Sequence, residues 1–163
     1  MLDAEQFLNS GIEGASETTF TPVPADDDGY ICTIPENGLV GPREFDNKNG
    51  GKSVVLDINW EIVDDEKKAN VVEVTGMANP RVKQSIFLDV IRGSDDQVTG
   101  LAMGKGKNIG LGRLREALGQ NDGKKKWSFK HLVGAMARVA VSHRSGQNGE
   151  EYAEVKRDGV TAL

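Results

Sequence analysis

At 163 residues, with 37% hydrophobic and 6% aromatic side chains, 20 glycines and a formal charge of -5, the chain suits one turn-rich globular domain. A chain of this length can bury a core without covalent or metal staples. A single cysteine, Cys32, excludes an internal disulfide and points to a reducing compartment, and two histidines with one thiol make no tetrahedral zinc site without carboxylates.

No basic residue followed by an apolar run marks Met1 to Ser10 as a secretory leader, and no stretch has the length to span a bilayer, so the expectation is a soluble, intracellular protein. The charge is unevenly spread. Residues 1–42 hold 8 acidic and no basic side chains, which leaves 20 basic against 17 acidic groups, a net of +3, in the remainder. Between Arg81 and Arg144 the balance is 13 basic to 5 acidic, a net of +8. An acidic leader joined to a basic body is compatible with nucleic acid despite the negative total, although any one lysine is by default a solvated surface charge.

In chain order, Asp3 to Asn9 predicts a short helix capped by Asp3, and Gly14 to Asp28 reads as an extended, acid-rich segment. Residues 1–28 are therefore expected to form an acidic arm, mobile or draped over a domain spanning 29–163. The first strand is Gly29 to Ile34, stopped by Pro35, and Glu36 to Lys52 reads as a loop. From Ser53 to Val63 every even position from Val54 to Ile62 is apolar, which predicts a strand with one buried face that takes in Trp60. Asn70 to Met77, rich in valine, predicts another β segment, and Val82 to Arg92 resumes as a strand after Asn79-Pro80. Leu111, Leu114 and Leu118 predict a helix over 109–118 ending at Gly119, and Trp127 to Val133 predicts one further helical turn. Met136 to His143 and Tyr152 to Arg157 are closing strands joined by a loop with an Asn-Gly turn signal. The expected fold is mainly β: a five-stranded OB-like Greek-key barrel with one capping helix and an extended acidic N-terminal arm.

The segments Gly112-Arg113-Leu114-Arg115-Glu116-Ala117-Leu118-Gly119, Phe129-Lys130-His131-Leu132-Val133-Gly134, Arg138 to Arg144 and Tyr152 to Lys156 resemble a family of phage proteins from early replication and recombination operons. There an L-x-x-x-L-G helix end precedes an L-x-G turn and a closing hairpin carrying Tyr and Lys. The resemblance covers the C-terminal third and implies an OB-fold single-stranded DNA-binding protein in the cytoplasm of an infected bacterial host. Many such proteins end in an acidic tail that recruits partners. This chain ends Lys156-Arg157-Asp158-Gly159-Val160-Thr161-Ala162-Leu163, and its acidic residues stand at the front, where they would recruit replication or recombination proteins or compete with DNA for the binding groove.

Binding a single strand needs cations along the phosphates and flat rings under the bases. The candidate contacts are Lys83, Phe87 and Arg92 on one strand, Lys105 and Lys107 in the Gly-rich loop, Lys124, Lys125, Lys126 and Trp127 in the loop after the helix, and Arg138, Arg144, Tyr152 and Lys156 on the closing hairpin. For Phe87 packing under the leader, and for Trp127 stapling the following turn, are equal alternatives. The Gly-rich loop matches neither a P-loop nor a dinucleotide fingerprint. Glu154-Val155-Lys156 fits the end of a metal-dependent nuclease motif but lacks the upstream carboxylate pattern, so a nuclease or resolvase stands second and a phage interaction module third. Cys32, His131 and His143 read as structural. No catalytic residue, metal ligand or cofactor site is expected, and homo-oligomerisation stays open.

Overall fold

The computed structural model describes residues 1–163, and the chain is mainly β. Helix α1 (Ala4–Leu8) starts on the Asp3 side chain, which accepts from the Gln6 amide at 3.1 Å, and buries nothing. Strand β1 (Asp26–Thr33) is followed by β2 (Leu39–Asp46), β3 (Lys52–Ile62), helix α2 (Lys68–Thr75) and β4 (Arg81–Leu88). A small hairpin of β5 (Val90–Arg92) and β6 (Val98–Leu101) leads to α3 (Ile109–Ala117), a 3₁₀ turn (Phe129–Leu132) and the closing pair β7 (Met136–Ser145) and β8 (Glu151–Thr161). None of the helices is long and apolar enough to cross a membrane.

Six strands form one sheet in the order β1-β7-β8-β4-β3-β2. A short pairing of Cys32 and Thr33 with Ile62 and Glu61 brings β1 back to β3, so the sheet nearly closes on itself. Past the turn at Pro35 to Gly38, β2 takes over along the same edge of β3, from Leu39 opposite Ile58 to Asp46 opposite Lys52. All contacts within the sheet are antiparallel except β4 with β8.

Alternation decides what lies inside. Val54, Leu56, Ile58, Trp60 and Ile62 of β3 meet Val82, Ile86 and Leu88 of β4 and Val139 and Val141 of β7. Each such side chain removed from water contributes about 1.5–3 kcal/mol. Trp60 is wholly buried, and its Nε1 donates to Gln84 at 2.8 Å, so its polar edge stays satisfied. Cys32 is buried as well, and that burial, aided by Asp64, pushes its thiol up to about 12, which leaves it inert. Helix α3 packs Leu111 and Leu114 into the core. Its N-cap, Asn108, sits in the left-handed region at φ 50° and is buried. The Asn108 side chain donates to the carbonyls of Asp89 and Ala102 and accepts from the Asp89 amide, fixing the helix start against the β4–β5 break.

Five expectations are corrected. In place of a five-stranded sheet with one helix, the chain has a six-stranded sheet that nearly closes and three α-helices. The valine-rich stretch 70–77 is mostly helix. Asp64 accepts from the amides of Glu66 and Lys67 at 3.1 Å, only Val71 is buried, and Gly76 at φ 73° terminates the helix. The expected loop 36–52 holds strand β2. The single strand expected over 82–92 is broken at Asp89 into β4 and β5. The first strand begins at Asp26 rather than Gly29, so the last three acidic residues of the presumed arm belong to the sheet.

Candidate nucleic-acid interface

Residues directly opposite each other across a strand pair share a face. That rule builds a continuous outer surface from the register. One row runs Asn59, Lys83, Glu154, Ser142 across β3, β4, β8 and β7. A second runs Arg43, Val55, Phe87 across β2, β3 and β4, with Asp57 opposite Ser85 between them. Arg144 and Tyr152 pair on the same face, as does Arg138 opposite Ile31 and Thr161.

On the β2–β3–β4 side the rings of Phe45 and Phe87 meet edge to face at 6.2 Å, and Phe87 is 62% exposed. The Arg43 guanidinium lies 5.3 Å from the Phe45 ring centre and donates through Nε to Asp57 at 2.9 Å. Asp57 is a buried carboxylate on an outward position. Burial alone pushes its pKa up, but hydrogen bonds from Arg43 and Ser85 and the nearby Lys83 charge outweigh that and hold it below the usual value. Arg43 is thus fixed at one nitrogen while the rest of its half-exposed guanidinium stays open. Lys83 is exposed and forms no ion pair.

On the β7–β8 side, Arg144 bridges Glu154 at 3.3 Å, Lys156 bridges Asp27 at 3.0 Å, and Tyr152 packs against Phe20 with ring centres 5.4 Å apart. Arg138 is half-buried and unpaired. Phe87 packs on Phe45 rather than under the leader. Compared with family models, curated proteins and solved structures, the chain matches none.

Of the residues singled out from the sequence, Lys83, Phe87, Arg138, Arg144, Tyr152 and Lys156 lie on this one face. Arg92 does not join them, since it is held by Glu44 at 2.6 Å and donates to the Asp96 carbonyl at 3.0 Å. Lys105, Lys107 and Lys124, Lys125 and Lys126 are exposed on the loops flanking α3. Trp127 is half-buried: Arg115 covers its ring at 4.4 Å, His131 lies nearly parallel at 6.5 Å, and Nε1 donates to Gln120 at 2.9 Å. That cluster staples the 3₁₀ turn to α3 and leaves the indole little room for a base. Glu154 and Lys156 are engaged by different partners, Arg144 and Asp27. His143 bonds the Val23 carbonyl at 2.8 Å.

Arg43 and Phe45 are functional candidates that the sequence reading missed. The signal was present in Asn47-Lys48-Asn49-Gly50-Gly51, a hairpin turn whose flanks are Phe45 and Ser53.

Proposed function

We propose that the chain is a non-catalytic OB-fold protein that binds single-stranded DNA through this outer face with little base specificity. The observation that carries the reading is the exposed Phe45–Phe87 pair beside Arg43 and Lys83, because stacking rings next to cations are what a single strand requires. The strand connectivity supports it. Taking β1, β3, β4, β7 and β8 as five barrel strands, the pairings run first-second-third-fifth-fourth-first, with third and fifth parallel and α3 between third and fourth. An OB barrel has this arrangement and receives oligonucleotides on its second and third strands, which here are β3 and β4.

The resemblance of the C-terminal third to phage proteins suggests the setting, DNA replication or recombination in an infected host. The deciding experiment is fluorescence anisotropy with a labelled poly-dT oligonucleotide, across a salt series and against the matching duplex. Binding that prefers the single strand and weakens linearly in log salt is expected. Equal affinity for duplex, or none at low salt, would overturn the reading.

A further inference from the structure

The segment from Thr19 to Asp28 is held to the closing hairpin in its middle and reaches exposed side chains at both ends. Val23 is buried, its carbonyl accepting from His143, while the Pro24 carbonyl accepts from the Tyr30 hydroxyl at 2.7 Å. Asp26 is locked by Lys67 at 2.7 Å. At one end Phe20, half-exposed, lays its ring against Tyr152 at 5.4 Å with a 42° tilt. At the other, Asp27, whose side chain is 83% exposed, takes the Lys156 ammonium at 3.0 Å. Tyr152 and Lys156 stand four residues apart on one face of β8, roughly 13 Å along the strand.

A ring on the ring and an anion on the cation are the contacts a nucleotide strand would make there. We propose that this segment is an intramolecular competitor of single-stranded DNA: Phe20 and Asp27 hold a base position and a phosphate position on β8, and DNA gains Tyr152 and Lys156 by displacing them. The anchored stretch Val23 to Asp26 stays in place. The proposal rests on the single-stranded DNA reading of the same face.

The test compares dT-oligonucleotide affinity of the full chain with Phe20→Ala, Asp27→Asn and the double variant, with thermal melts as a folding control. The double variant is expected to bind roughly tenfold tighter at moderate salt, from one aromatic pair and one exposed ion pair. Asp27→Asn should also steepen the log–log salt slope by about 0.7, one released cation on a single strand. Asp27→Asn keeps the side-chain shape and decides the question if Phe20→Ala lowers the melting temperature. Weaker binding of Phe20→Ala would mean that Phe20 and Tyr152 sandwich a base together, which overturns competition. Unchanged affinity in all variants overturns the occupancy and leaves the DNA reading standing, whereas no binding by any chain at low salt overturns both.

Discussion

The two halves of the outer sheet face carry similar chemistry in opposite states. On β2–β3–β4, Phe45, Phe87 and Lys83 are open to solvent, and Arg43 is aimed from beneath by a buried carboxylate. On β7–β8, Tyr152, Arg144 and Lys156 are each engaged by another part of the chain, through Phe20, Glu154 and Asp27. The open half has nothing to displace and is preorganised, so it should supply most of the affinity. If the face binds single-stranded DNA as proposed, the engaged half would first surrender existing contacts and yield only the difference.

The largest effect that could break this comparison is in DNA affinity. Replacing both Phe45 and Phe87 with alanine is expected to weaken dT binding by about thirtyfold or more, since each stack contributes about 1–3 kcal/mol. Tyr152→Ala should cost less than Phe87→Ala alone, because it also frees DNA from competing with Phe20. Anisotropy titrations at one salt concentration settle the order, and a Tyr152→Ala loss equal to that of the double variant would invert the assignment of open and engaged halves.

A second effect tests the support beneath the open half. Asp57→Ala removes the shared acceptor of Arg43 and Ser85, losing two hydrogen bonds at a cost of about 2 kcal/mol in urea denaturation. Acid should act on the same residue. Asp57, Asp26 and Asp64 all have pKa values in the folded chain held below the ordinary 3.8: burial opposes this in each, and their hydrogen bonds prevail. Their stabilisation is therefore fully present above the unfolded value and is lost as pH falls through the folded values. Stability should stay level with respect to these groups from neutral pH to about 5 and drop below about 4, and Asp57→Asn should make that acid loss shallower. An equally steep loss in the variant would show that Asp57 is not one of the groups that titrate on unfolding.

The division between halves also marks what the sequence could reveal. Strand β3, helix α3 and the closing hairpin were legible because period-2 and period-3.6 patterns there coincide with burial, as at Trp60, Leu114 and Val141. The engaged half was legible for the same reason, with Tyr152 and Lys156 alternating against Ala153 and Val155. Strand β2 was not, since almost all of it is exposed and Gly41-Pro42 looks like a loop, so Arg43 and Phe45 went unseen. Helix α2 was misread because Val71, Val72 and Val74 favour strands, while the Asp64 turn that leads into it and the left-handed Gly76 that ends it act through backbone hydrogen bonds. The contacts of Phe20 and Asp27 join residues more than a hundred positions apart, which no local pattern encodes.

The smallest expected effect bears on Glu154, where the halves meet. It lies directly opposite Lys83 in the parallel register and 3.3 Å from Arg144, so its carboxylate offsets one cation from each half. Because both partners are at the surface, Glu154→Gln should change stability by no more than about 0.5 kcal/mol. It should nevertheless tighten dT binding about twofold at low salt, an advantage that fades as added ions screen the face. Running the same variant in a magnesium-dependent cleavage assay, with a chelator control, separates the two functions considered for this strand. A metal-ligating Glu154 would leave the variant inactive on a substrate that the unmodified chain cuts, whereas a carboxylate that only tempers neighbouring charge would leave no cleavage to lose and a measurable gain in binding.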